Sequence, residues 1–136
     1  MADRDFAILQ TQGNRHVNLN FGVKLVAGSP VFVEGDTAAS ITGSYLTLTD
    51  TGVGIIGVTT TNPYLAVVKV TGSRAMGTPT TNSGWIFSLP TQNTNGTWTF
   101  TITTWTNAAG THTAADMAAG DIMYVDLVLR NSGVLP

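Results

Sequence analysis

The chain has 136 residues, a formal net charge of −2 and no cysteine, and only 10% of its residues are charged. Ordinary soluble proteins carry roughly 25% charge, so Thr, Asn, Gly and Ser must supply the solvent-facing surface here. The length fits one domain with its own core; the missing cysteines exclude a disulfide framework and thiolate metal sites, and the lack of a basic run argues against a nucleic-acid surface.

No stretch approaches the roughly 20 apolar residues needed to span a bilayer. The opening Met1-Ala2-Asp3-Arg4-Asp5 lacks the basic and then apolar regions of a signal peptide, so synthesis in the cytosol is expected. A charge-poor, Thr-rich chain suits an exposed, long-lived particle, and a virion protein released by lysis reconciles that surface with the absence of export.

In chain order, residues 1–15 read as an N-terminal arm, with Arg4 beside an apolar patch of Phe6, Ile8 and Leu9. Residues 16–136 read as the β-domain. Val17, Leu19, Phe21, Val23 and Leu25 alternate with polar or small residues, the period of two that marks a strand. Ala27-Gly28-Ser29-Pro30 is turn chemistry, followed by a short strand over 31–34 that Gly35-Asp36 closes. Tyr45 to Asp50 alternates again, Leu46 and Leu48 inward and Thr47 and Thr49 outward. Thr51-Gly52 breaks the run, and Val53 to Thr61 resumes it.

After Asn62-Pro63, Tyr64 to Val70 is strongly β-forming, with Leu65 and Val67 on one face and Ala66, Val68 and Val70 on the other. Two apolar faces imply a central or covered strand. Gly72 to Gly84 reads as irregular. Trp85, Phe87 and Leu89 then share one parity, and Pro90 to Gly96 turns the chain at Asn95-Gly96. Thr97 to Thr104 is the clearest strand: Trp98, Phe100 and Ile102 on the dry side, Thr97, Thr99, Thr101 and Thr103 on the wet one. Threonine suits that role, since its β-branch favours extended backbone and its hydroxyl wets the surface without charge. Asn107 to Gly120 is alanine-rich, with room for a helical turn around Asp116 to Ala119, and Ile122 to Arg130 closes the domain as a nine-residue strand.

Eight or nine short strands without intervening helices exclude a parallel βαβ sheet. The expected fold is all-β: an antiparallel two-sheet sandwich of jelly-roll type with an N-terminal arm.

Several motifs invite chemical readings. Gly52-Val53-Gly54-Ile55-Ile56-Gly57 matches G-x-G-x-x-G, but the residues that follow cannot start the helix that dinucleotide binding requires, so glycines relieving a strand are expected. His112 with Asp116 and Asp121 matches no metal-ligand spacing, although loop oxygens of the two aspartates could hold calcium. No G-x-S-x-G elbow exists, and His16 and His112 are the only histidines. No catalytic residue, metal or cofactor is therefore expected, and the chain reads as non-enzymatic. Trp85 and Trp98 are assigned to the core by parity, while Trp105 is out of phase and exposed, a weak lectin signal. On the last strand Met123, Val125, Leu127 and Leu129 form a core face, and the opposite face carries Ile122, Tyr124, Asp126, Val128 and Arg130. Large apolar groups beside two opposite charges point to a subunit interface there.

The segment Phe21-Gly22-Val23-Lys24-Leu25-Val26-Ala27-Gly28-Ser29-Pro30-Val31-Phe32-Val33 and the Ala119-Gly120-Asp121 turn resemble small virion proteins of tailed phages. The first turn is similar to that of capsid decoration (cement) proteins; the second is similar to the entry of the closing strand in jelly-roll trimers, including phage fibre tips. The resemblance covers about a quarter of the chain. It implies a homotrimer that binds the major capsid protein on the outer surface of the virion and stiffens the shell, with no nucleic-acid or membrane partner. It also implies that the arm, through Arg4, Phe6, Ile8 and Leu9, contacts the shell. The alternatives are a fibre or tail-tip domain that binds a host receptor or glycan, and a stand-alone carbohydrate-binding module.

Overall fold

The computed structural model describes residues 16–33, 45–79 and 82–130, and these contain ten strands and no helix. The strands are β1 (His16–Val26), β2 (Ser29–Phe32), β3 (Leu46–Gly52), β4 (Ile55–Thr60), β5 (Ala66–Ala75), β6 (Ser83–Phe87), β7 (Thr91–Gln92), β8 (Trp98–Ala108), β9 (Thr111–Ala114) and β10 (Ile122–Arg130). They form two antiparallel sheets, one in the order β2-β1-β10-β5 and the other in the order β3-β4-β8-β6. The short strands β7 and β9 also pair with β8. Both β6 and β9 pair with Trp105 and Thr106, so they flank β8 on opposite sides, and β9 continues the line of β4.

The alternation read from the sequence builds the core directly. The first sheet contributes Leu19, Phe21 and Val23 from β1 with Met123, Val125, Leu127 and Leu129 from β10; the second contributes Leu46, Ile56, Val58, Phe100 and Ile102. Each such side chain, fully buried, stabilises the fold by about 1.5–3 kcal/mol against exposure, before conformational entropy is charged against it. Edge-to-face ring pairs, Phe21 with Phe32 and Phe87 with Phe100, fill the layer between the sheets.

Several expectations are corrected by the strands themselves. Ser29 and Pro30 belong to β2; the turn is Ala27-Gly28, both at positive φ, a two-residue hairpin that matches strand twist. The β3–β4 reversal falls at Val53-Gly54, because β3 runs on to Gly52. Strand β5 continues to Ala75, through the start of the stretch read as irregular, and it lies at the edge of its sheet rather than in the centre. Its parity also fails: Val128 faces Lys69 while Leu129 faces Val67, which leaves Val68 as the extra residue of a bulge, 50% exposed. Instead of a helical turn near Asp116, the chain forms β9, folded back on β8 by Ala109-Gly110 at φ 52° and 82°. Trp85 is 38% exposed and Leu89, beyond the end of β6, is 89% exposed, so neither is core. The arm at 1–15 and the Gly35-Asp36 break lie outside the described residues.

A buried ion pair ties the sheets together at one end. Arg74 on β5 donates to Asp121 Oδ2 at 3.1 Å and to the Gly84 carbonyl on β6 at 3.3 Å, with its side chain 5% and that of Asp121 2% exposed. Asp121 Oδ1 accepts from the Gly77 amide at 3.1 Å, so both carboxylate oxygens are engaged.

Candidate functional site

The solvent face of the second sheet is the most regular surface of the molecule. Register places Thr47, Thr59, Thr99 and Thr91 in one row across β3, β4, β8 and β7. The next row holds Thr49, Gly57 and Thr101, and the third holds Ile55, Thr103 and Ile86. Neighbouring rows along a strand stand about 6.8 Å apart, and neighbouring strands about 4.8 Å.

Several hydroxyls on and beside this face are tied down. Thr59 Oγ1 and Thr99 Oγ1 lie 3.1 Å apart, and Asn93 Nδ2 donates to both Thr99 Oγ1 and Thr97 Oγ1 at 3.0 Å. Thr51 Oγ1 donates to the Ile55 carbonyl at 3.0 Å. Stiff β-branched side chains in fixed rotamers lose little entropy when a partner covers them, and no lysine, arginine, aspartate or glutamate in these rows must shed water. Thr97, expected on the wet side, is instead buried beside this network, at 7% exposure.

One end of the same face carries the aromatic feature. Trp105 sits opposite Gly84 and stacks on His112 with ring centroids 4.1 Å apart, and it is half-buried. A Cβ at Gly84 would fall inside the indole, so only glycine lets the ring lie against the β6 backbone. Asn107, facing His112 across the hairpin, keeps a shielded Oδ1 with no hydrogen-bond partner. Sequence phase sets Trp105 outside the core, but nothing in the local pattern signals the β9 hairpin that delivers His112.

The expected interface on β10 is brought together as one face, between β1 and β5. Tyr124 is 46% exposed, whereas Ile122, Asp126, Val128 and Arg130 are half-buried. Asp126 lies between Asn20 and Thr71, and its Oδ1 is shielded from solvent without a partner. The arm residues Arg4, Phe6, Ile8 and Leu9 lie outside the described residues.

The motifs with chemical readings have structural roles. The G-x-G-x-x-G letters fall on the β3–β4 hairpin, where Gly54 (φ 71°) donates from its amide to Asp116 Oδ1 at 2.6 Å. A Cβ on Gly54 would meet the Ala115 nitrogen at 2.6 Å and the Thr104 carbonyl at 2.7 Å. Asp116 thus fastens the hairpin, and Asp121 serves the Arg74 clamp. Among the described residues, no three His, Asp or Glu side chains are grouped to hold a metal. Trp98, on the core side as expected, donates from Nε1 to the Tyr64 carbonyl at 2.8 Å.

No family model, curated protein or solved structure matches this chain.

Proposed function

We propose that this chain is a non-enzymatic structural protein of a phage virion, which docks on the major capsid protein at the outer surface and stiffens the shell as a decoration protein does. The observation that carries this reading is the threonine face of the second sheet. A broad surface, with no lysine or carboxylate side chain in its rows and with Thr59 and Thr99 already hydrogen-bonded, is suited to repeated contact with another protein layer rather than to chemistry on a small molecule. The order of the sheets supports the jelly-roll form of the fold: the first and last long strands, β1 and β10, are neighbours, and β4, β5 and β6 alternate between the layers.

Within this reading the copies associate as homotrimers through the outward face of β10, with Ile122, Tyr124, Asp126, Val128 and Arg130. Sedimentation of the isolated protein tests this; a monomer persisting at high concentration contradicts it.

A second reading, a fibre or tail-tip domain or a carbohydrate-binding module, is favoured by the Trp105–His112 stack and by the exposure of Trp85. Co-sedimentation with purified capsids set against binding to a glycan array separates the two. The decoration reading expects the protein in the capsid pellet and no retention on glycans.

A further inference from the structure

The sequence contains a single Asn-Gly pair, Asn95-Gly96, which neither the capsid nor the glycan reading uses. Such a pair carries its own chemistry. The backbone nitrogen of the glycine can attack the carboxamide carbon of the asparagine, because a glycine has no Cβ to crowd the approach and its backbone turns freely. The pair lies in the turn between β7 and β8, where Asn95 is exposed and Gly96 sits at φ 86°. Reaction there requires water at the side chain, a polarised carbonyl and a glycine nitrogen that can be freed.

Asn95 Oδ1 accepts two hydrogen bonds, from the Thr97 amide at 3.1 Å and from Thr97 Oγ1 at 2.6 Å. Thr97 is 7% exposed, and its hydroxyl accepts from Asn93 Nδ2 at 3.0 Å, so the donor is held in place. Attack on the carboxamide carbon moves negative charge onto Oδ1. Both donors already point at that atom, as they do in an oxyanion hole. One contact opposes the reaction, since the Gly96 amide donates to the Asn93 carbonyl at 3.0 Å. Releasing one such hydrogen bond slows the attack by about tenfold at most. Waiting for the whole domain to unfold would slow it by roughly a thousandfold or more. A local opening of the turn is therefore enough.

We propose that Asn95 is a site of spontaneous modification in the folded protein, converting through a cyclic succinimide. The Gly96 nitrogen gives its proton to hydroxide and bonds to the Asn95 Cγ. The Cγ–Nδ2 bond then breaks, and Nδ2 takes a proton from water and leaves as ammonia. Water adds to either carbonyl of the ring and opens it, to aspartate or to isoaspartate, with no change of oxidation state. Isoaspartate lengthens the main chain by one carbon ahead of Thr97. The turn that sets Thr97 against Asn93 then changes length, and Asn93 Nδ2 is also the donor to Thr99 on the threonine face. The inference is independent of the capsid and glycan readings.

The test incubates the full-length chain in mildly alkaline buffer, both native and unfolded in guanidinium. Peptide mapping by mass spectrometry follows conversion at Asn95, and labelling by an isoaspartyl methyltransferase marks the isoaspartate. The expected native rate lies within about tenfold of the unfolded one. Two variants then probe the polarising hydroxyl: Thr97→Ser keeps it and Thr97→Val removes it at similar volume, with folding checked by circular dichroism. Thr97→Ser should convert at the wild-type rate and Thr97→Val about threefold or more slowly. A larger gap between native and unfolded wild type, which is measured without any variant, would overturn the assignment. So would a folded Thr97→Val that converts as fast as wild type.

Discussion

Arg74 and Asp121 show how much a single polar contact can decide in a charge-poor domain. Their pairing is almost free of solvent and engages the Gly84 carbonyl and the Gly77 amide as well. Removing one partner leaves the other charge buried without compensation, a cost of about 3–5 kcal/mol. Asp121→Asn should therefore lower the urea midpoint strongly, and the double variant Arg74→Met with Asp121→Leu should recover much of the loss; a midpoint unchanged in the single variant would remove the clamp from the account. Tyr64 supplies a second residue-scale prediction. Burial pushes its phenol above the ordinary 10.0, a hydrogen bond from Asn62 acts in the opposite sense, and Tyr45 adds a smaller upward push. A raised folded value means the unfolded chain gives up its proton first. The contribution is thus full below pH 10 and is lost as pH rises through the folded value. Denaturant titrations across that window should show a fall in stability that Tyr64→Phe reduces.

At the scale of elements, strands were legible where hydrophobic period and local backbone agreed. Along β8, Phe100 and Ile102 face the core and Thr99, Thr101 and Thr103 face outward, as their phase requires. The same held for β10, whose four alternate apolar residues are all buried. Strand β5 is not legible in the same way, because a run of valines carries no phase and the bulge at Val68 turns both Val67 and Val70 toward the core side. Strand β9 has no hydrophobic signal, because Thr111-His112-Thr113-Ala114 is exposed throughout; pairing with β8 and the Ala109-Gly110 turn create it. Asp121 gave no local sign of its role, since its partner Arg74 lies 47 residues away. The β3–β4 hairpin yields the prediction at this scale. Gly54→Ala would place a methyl against the Ala115 backbone at a positive φ, so it should destabilise the domain by more than the roughly 1 kcal/mol that an ordinary glycine replacement changes, measured by thermal melting. A melting temperature equal to wild type would show that the backbone at Thr104 and Ala115 does not press on the hairpin.

For the whole molecule, two sheets share one apolar core and leave three surfaces with different chemistry. The threonine face of the second sheet is flat in composition and internally hydrogen-bonded, the β10 face of the first sheet combines Tyr124 with the shielded Asp126, and the β5 edge borders an apolar cleft. Composition foretold the first of these, because a chain with 23 threonines and so few charges must display hydroxyls. The other two depended on pairing and on a bulge, which no single segment reveals. The central claim is that the threonine face docks on a capsid. Its most direct test is co-sedimentation of wild type and of Thr59→Lys with Thr101→Lys against purified capsids, with folding of the variant checked by circular dichroism. Because the two lysines would force charge into a contact that has none, the account predicts saturable pelleting of the wild type and a loss of affinity of about tenfold or more in the variant. Equal pelleting of both proteins, or no pelleting of the wild type, would contradict it.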